Sequence, residues 1–515
     1  MAALFITLFL PLAGTFLLLF FNKDNVRTIK AAAFIISLAT FAASLALYLN
    51  FDTSNAGIQF LFEAEWIPSM DAGFRIGIDG TSILLIMLTT FLTPITIFAS
   101  PGAIHKREKE FYVMMLLLQF AMTGVFMSLD LLLFYVFWEL VIIPMYFMIG
   151  VWGGLNRIYS AVKFFLFTVV GSLFMLVAIV WIGVYIGSEV LHTEAGFTSN
   201  FLLIRELSPQ IASNVQDWLF IAFALSFCIK VPVFPLHTWL PDAHTDAPTP
   251  GSVILAGILL KMGTYGLIRF NIELFPASSI TFAPYIAILS VIGIIYGALV
   301  SMVQTDYKRL VAYSSVSHLG FVVLGIFSMT ETGIQGAIIQ MVNHGLSTGM
   351  LFFVVGMIYE RRHTREISEF GGIARVMPAY TVFFAIAMLA SVGLPGLNGF
   401  VGEYLTLMGA FQSTVLNSYV YTILAATGVI FAACYLLWMF QRVMFGENSN
   451  PKNHNLKDLS ANEWITLVPI VIFIVWIGVY PKSFLKYSEQ STKALVGKVI
   501  QVQSLQTSDL IKGEE

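Results

Sequence analysis

The sequence predicts an all-α polytopic membrane protein. About fourteen transmembrane helices form two inverted five-helix repeats, each containing one broken helix, with a small extramembrane β-hairpin and a C-terminal amphipathic helix. Three observations lead there. Of 515 residues, 58% are hydrophobic and only 11% are charged, whereas soluble domains carry about 25% charged residues. Apolar runs of about 20 residues, the length that crosses a hydrocarbon core, recur along the whole chain. Two of those runs are broken by proline and glycine, and they stand five segments apart. The net charge of −3, without a basic cluster, offers nothing to nucleic acid.

The expected spans are 3–21, 30–49, 82–100, 111–128, 131–150, 163–186, 217–241 (broken), 250–270, 282–302, 309–328, 335–358, 379–409 (broken), 418–442 and 462–481. The first run has no basic stretch before it and contains Pro11-Leu-Ala-Gly14, so it reads as a retained helix and not as a signal peptide. Loops after odd-numbered spans hold nearly all the lysine and arginine: Lys23 and Arg27, Lys106 to Lys109, Arg157, Lys308 and Arg309, Arg361 to Arg375, and Arg442 to Lys457. Even-numbered loops have few, Arg75 and Arg205 among them. The positive-inside rule then puts the odd loops in the cytoplasm and both termini outside. Between the second and third spans, Ile58–Trp66 and Phe74–Ile78 alternate loosely around a Pro68–Gly73 turn, which predicts an exposed hairpin. After Tyr480 the polar tail with scattered Leu, Val and Ile predicts a helix lying along the surface.

The breaks carry the repeat argument. Pro232, Pro235 and Pro241 each remove a backbone donor and clash with the preceding turn, so the seventh span must break. In the twelfth, Pro395 and several glycines precede Glu403. Broken helices in two halves point to a transporter's ion path. A unit of five crossings has an odd count, so its second copy is inverted. This divides the chain into 1–110, three helices with the hairpin; 111–271 and 272–446, the two repeats; and 447–515, the last span and surface helix.

Six titratable residues fall in mid-segment: Glu139, Lys230, Lys261, His318, His344 and Glu403. Each mid-membrane lysine costs roughly 2.5–3.5 kcal/mol on insertion scales, so a use for the charge is expected. A static buried pair is the structural alternative for Glu139 and Lys230, and a satisfied core position for the two histidines. The coupling alternative is a proton relay in which a carboxylate tunes a desolvated lysine and water links the groups at the helix breaks. Lys163, Asp306, Lys308, Glu360 and Arg442 lie near segment ends, where snorkelling to the interface is the expected behaviour. Cys228 and Cys434 are too few for an iron–sulfur cluster, no His/Cys/carboxylate group has metal-ligand spacing, and no dinucleotide or Walker pattern occurs.

The run from Phe234 to Arg269, containing His237-Thr-Trp-Leu-Pro-Asp-Ala-His244 and Gly251-Ser-Val-Ile-Leu-Ala-Gly257, resembles the signature of the antiporter-like subunits of proton-pumping NADH:quinone oxidoreductase, respiratory complex I. Phe134-Tyr-Val-Phe-Trp-Glu-Leu140 and Leu394-Pro-Gly-Leu-Asn-Gly-Phe-Val-Gly-Glu403 support it, and the wording is closest to the M-type branch. The resemblance implies that Glu139 partners Lys230, that Lys261 is the central relay lysine and that Glu403 is the exit-side carboxylate. His318 and His344 are further relay candidates. It implies no cofactor in this chain: NADH, flavin, iron–sulfur clusters and quinone belong to partner subunits. It also implies L-type and N-type antiporter-like neighbours, an indirect link to the NADH-oxidising arm, and a bacterial inner membrane in preference to a mitochondrial one. The competing readings are a subunit of a multi-subunit cation/proton antiporter, a free-standing solute carrier and an inert scaffold. Mid-membrane charges argue against a scaffold, and the lack of a clustered solute pocket argues against a carrier.

Overall fold

Twelve helices among the described residues are long and apolar enough to cross a membrane. The broken seventh and twelfth spans add two more crossings, giving fourteen. The structure, a computed structural model, describes residues 1–513, and side-chain surroundings through Leu505. In the seventh span, helix Ser213–Lys230 ends on its lysine and a shorter helix, Trp239–Asp246, follows the break. Trp239 Nε1 donates to the Ile229 carbonyl at 2.8 Å. That bond satisfies a carbonyl that the proline-rich break frees. In the twelfth, Pro378–Val392 and Asn398–Gln412 are separated by a turn with Gly393 at φ +83 and Gly396 at φ +92, a region that favours glycine.

Three departures from expectation are local. The fifth span is interrupted at Val141, between helices Leu131–Leu140 and Ile142–Trp152. Pro144 cannot donate to the carbonyl of Leu140, so the regular ladder fails there. The eighth span, Thr249–Ile272, contains two wide π-turns, Leu255–Leu259 and Leu267–Ile272. A short helix, Phe201–Leu207, stands in the loop before the seventh span.

The hairpin forms as predicted, Gln59–Ile67 pairing antiparallel with Ala72–Ile78. It is not exposed throughout, however. Ala72, Ile76 and Ile78 are buried, and Arg75 reaches Asp130 at 2.7 Å. The C-terminal helix, Lys482–Gly513, lies against the hairpin's base. Tyr487 stacks on Tyr48 with centroids 4.1 Å apart, and the Gly80 N–H donates to Ser491 Oγ at 3.1 Å.

Loop contacts sort the chain into two ends. At one end, Lys109 Nζ donates to the Phe21 carbonyl at 2.7 Å, Trp152 Nε1 to the Lys106 carbonyl at 2.7 Å, and Arg365 pairs with Asp306 at 3.1 Å. At the other, Asp130 joins the hairpin, Arg205 reaches Glu273 at 3.3 Å and Ser413 Oγ donates to the Ser328 carbonyl at 2.6 Å. Odd-numbered loops share the first end and even-numbered loops the second.

A pair of short ladders relates the two repeats. Asp130 caps the fifth span by accepting from Leu132 and Leu133 N–H, and Asp306 caps the tenth by accepting from Lys308 and Arg309 N–H. Beside Asp130, Leu131 N–H donates to the Ser199 carbonyl (2.8 Å) and Phe201 N–H to the Leu129 carbonyl (3.2 Å). Beside Asp306, Tyr307 N–H donates to the Arg365 carbonyl (3.1 Å) and Ile367 N–H to the Thr305 carbonyl (2.8 Å). Each aspartate also pairs with an arginine, Arg75 or Arg365. The two arrangements match in pattern and lie at opposite ends of the bundle.

Candidate functional site

The eighth span is buried along its whole length. Its first π-turn widens the helix immediately before Lys261, and a π-turn leaves backbone carbonyls out of the ordinary ladder. Lys261 Nζ uses one of them, donating to the Ala256 carbonyl. The same ammonium nitrogen lies 2.6 Å from His344 Nδ1, on the eleventh span. Lys261 is 0% exposed and His344 2%, so both charges depend on protein groups for solvation.

From His344 the path turns across the bundle. The His344 and His318 rings stand 6.1 Å apart, centre to centre. His318 Nδ1 lies 2.8 Å from Glu403 Oε1, and its Nε2 is 3.3 Å from the Tyr435 hydroxyl. Gln340 Nε2 donates to the same carboxylate oxygen at 3.3 Å. The broken twelfth span places Glu403. Asn343 Nδ2 donates to the Asn398 carbonyl at 2.7 Å and Asn398 Nδ2 to the Asn343 carbonyl at 3.3 Å, fixing the second half-helix to the eleventh span. A Cβ at Gly393 would sit 3.1 Å from Glu403 Oε2, so the bend also leaves room for the carboxylate.

Lys230 and Glu139 stand apart from this chain. Lys230 is 1% exposed, and its ammonium lies 4.9 Å from the centre of the Trp138 ring. Glu139 is half-buried, and its charge reaches Lys230, but no ion pair within 4.0 Å joins them among the described residues. The expected direct ion pair is not formed among the described residues. Trp138, the residue preceding Glu139, supplies the lysine's close contact through its ring face, which attracts cations.

The end-of-segment residues are more engaged than snorkelling predicts. Lys163 pairs with Asp242 at 2.6 Å, and Arg442 covers the Trp438 ring at 3.8 Å. Lys308 is buried and donates to the Ala247 carbonyl. His244, fully buried, stacks on Phe352 with centroids 4.7 Å apart. The sequence alone does not set His244 and Lys308 side by side. The signals were present in Pro241-Asp-Ala-His244 and Thr305-Asp-Tyr-Lys308, but only folding brings them to one place. A cavity of about 320 Å³ opens at the lysine- and arginine-rich end and reaches Lys308.

Two buried ion pairs close the opposite end. Asp79 Oδ2 lies 2.6 Å from Arg269, which also pairs with Glu273 at 2.9 Å. Burial pushes the Asp79 carboxyl up, but Arg269 and the Thr81 hydrogen bonds outweigh it and hold the group below its ordinary range. Asp130 differs. There burial dominates and raises the carboxyl despite hydrogen bonds from the Gly73 N–H and Ser199 and the Arg75 charge.

Comparison with known proteins gives a consistent picture. Residues 128–431 match the family described as "NADH:quinone oxidoreductase/Mrp antiporter, TM", and residues 5–125 match "NADH-ubiquinone oxidoreductase chain 4, amino terminus". NADH-quinone oxidoreductase subunit M of Rickettsia bellii is 44% identical over 96% of this chain and 98% of its own length. NADH-ubiquinone oxidoreductase chain 4 of Arabidopsis thaliana is 44% identical over 94% and 95%. A chain of respiratory complex I from Thermus thermophilus superposes with a TM-score of 0.85 at 31% identity, covering 96% of this chain and 99% of that one. A chain of the Mrp complex from Dietzia reaches a TM-score of 0.82 at 18% identity over 98% and 99%, a likeness of fold alone.

Proposed function

Because the chain belongs to the family of antiporter-like membrane subunits of NADH:quinone oxidoreductase, and its full-length relatives are subunit M and chain 4, we propose that it translocates protons as the M-type subunit of that complex. The observation that carries this reading is the contact chain Lys261–His344–His318–Glu403, buried across the middle of the bundle. Electron transfer from NADH to quinone takes place in partner subunits, which hold the flavin, iron–sulfur clusters and quinone. L-type and N-type antiporter-like subunits are its neighbours in the membrane arm. The lysine- and arginine-rich end faces the cytoplasm, and both termini lie outside.

The geometry gives each residue a task. Two positive charges 2.6 Å apart in a dry interior repel strongly, so Lys261 and His344 share one excess proton at a time. A proton arriving on Lys261 displaces the one on His344. The two imidazole rings stand 6.1 Å apart, and His318 hands the proton to Glu403 over a 2.8 Å contact. Tyr435 and Gln340 hold His318 and Glu403 in register. Lys230, buried against the Trp138 ring, and Glu139 are assigned to the same proton path as a second pair of charged groups.

Glu403 provides the test. In vesicles containing the assembled complex, Glu403→Gln is expected to lose most proton pumping, because an amide keeps the shape and cannot cycle a proton. Glu403→Asp should retain part of it, since the acid remains with its reach shortened by one methylene. Full pumping by the Gln variant would reduce Glu403 to a packing residue and overturn the relay.

A further inference from the structure

Glu360 lies in the last turn of the eleventh span, Glu331–Arg362, at the lysine- and arginine-rich end. We propose that Glu360 is the proton-collecting residue of the inlet, taking protons from the aqueous side and passing them through the cavity it lines to Lys308. The proposal rests on the proton-translocation reading given above and extends it to an entry point that the relay itself does not include.

Two cavities meet at this side chain. The one of about 320 Å³ has Glu360 and Lys308 on its wall, and a second of about 180 Å³ is lined by Glu360 with Ser460, Asn462 and Thr466. Each exceeds the roughly 30 Å³ that a water molecule occupies, and each offers polar partners to water. The carboxylate is seated over Gly102, where a Cβ would lie 2.2 Å from Oε2. Only a glycine leaves the oxygen that position.

The surrounding charges are already engaged. On its own helix, Arg361 holds Glu463 of the last span at 2.6 Å and 2.7 Å. Arg365 is taken by Asp306 and the Thr245 carbonyl. Asp246 accepts from Ser160 Oγ at 2.6 Å and from the Asn156 N–H at 3.1 Å. His105 and His363 line the same cavity. Glu360 itself, among the described residues, accepts no hydrogen bond and joins no ion pair. A half-buried carboxylate without a counterion, between two spaces that admit water, is free to bind and release a proton without breaking a structural contact. The step balances simply. The carboxylate takes a proton from hydronium, leaving water, and gives it through cavity water to the Lys308 amine once that amine's previous proton has moved on to His244. Lys308 Nζ donates to the carbonyl of Ala247, three residues after His244, and this contact sets the inlet beside the segment that carries His244.

The experiment compares wild type, Glu360→Gln and Glu360→Asp in the intact complex reconstituted in vesicles. NADH-driven pumping is followed while the pH on the lysine- and arginine-rich side is varied, and Glu403→Gln is run beside them. The Gln variant is expected to pump several-fold more slowly at high pH and to recover as pH falls, because uptake then depends on hydronium alone, which changes about tenfold per pH unit. The Asp variant is expected to restore most of the high-pH rate. Equal rates for Gln and wild type at every pH would overturn the proposal. So would a pH-independent loss, or failure of both variants to assemble, either of which would make Glu360 a structural residue. If Glu403→Gln pumps normally the relay fails. If it does not, and Glu360→Gln does, only the inlet assignment falls.

Discussion

At the scale of single residues, burial and partner decide what each charge does. Lys261 and Lys230 are equally removed from solvent, yet one is bonded to a histidine and a carbonyl and the other faces an indole ring. Among the described residues, the Lys230 ammonium therefore has no hydrogen-bond partner to which it passes its proton directly. Lys230→Ala and Glu139→Ala are each expected to cut pumping and coupled NADH:quinone turnover by about a hundredfold, the low side of what positioned acid–base groups contribute. Assembly should persist, because neither side chain forms an ion pair that fixes the helices. The measurement is pumping and turnover in membranes whose assembly has been checked by native gel, and normal pumping by both assembled variants would remove them from the path. The Asp79–Arg269 pair belongs to the other kind, a contact that holds the structure together. Its carboxyl is held below the ordinary value of 3.8, so its stabilisation is complete above that value and is lost as pH falls through the lower folded value. Asp79→Asn is expected to destabilise by about 3–5 kcal/mol near neutral pH, the usual cost of breaking a buried pair. Thermal unfolding in detergent between about pH 7 and pH 3 should show the wild type approaching the variant only at the acid end. A constant difference across that range would show that Asp79 does not carry the pH dependence.

At the scale of elements, the breaks were legible and the wide turns were not. Pro232, Pro235 and Pro395 have a fixed backbone meaning, so the interruptions of the seventh and twelfth spans could be read directly from the chain. The π-turn at Leu255–Leu259 has no such mark, since an apolar run looks the same with an extra residue in its turn. That turn nevertheless frees the Ala256 carbonyl for Lys261. The six mid-segment residues stood out because charge in an apolar run is costly. Their pairing was hidden, because Lys261 and His344 are brought together from two different spans, and so are His318 and Glu403. Lys308 looked like a snorkelling residue from its position near a segment end. It is buried instead, and its ammonium donates to the Ala247 carbonyl of another loop. Residue identity between the repeats is slight, but the Asp130 and Asp306 caps, each with an arginine and a two-bond ladder, occupy corresponding places at opposite ends. This supports our proposal that 111–271 and 272–446 are the inverted units.

At the scale of the whole molecule, the two ends are chemically unlike, and that asymmetry gives the path a direction. One end gathers Lys109, Arg361, Arg362 and Arg365, and Arg365 lines the cavity that reaches Lys308. The other carries the hairpin, the C-terminal helix and the Asp79–Arg269–Glu273 network, around a smaller cavity of about 80 Å³. Loops of one parity meet at each end, so a single labelled site on either side fixes the orientation of all fourteen crossings. The positive-inside rule places the cavity end in the cytoplasm. Two reporter cysteines test this, Glu65→Cys on the exposed strand of the hairpin and Asn455→Cys in the loop before the last span, both exposed positions. They are introduced into a Cys434→Ser background, because Cys434 is exposed and Cys228 is buried. A membrane-impermeant maleimide added to intact cells is expected to label the hairpin cysteine. The loop cysteine should react only after the membrane is opened. The reverse pattern would turn the molecule over, placing the Glu360 cavity outside, and a proton entering there would then travel inward through Lys261 toward Glu403.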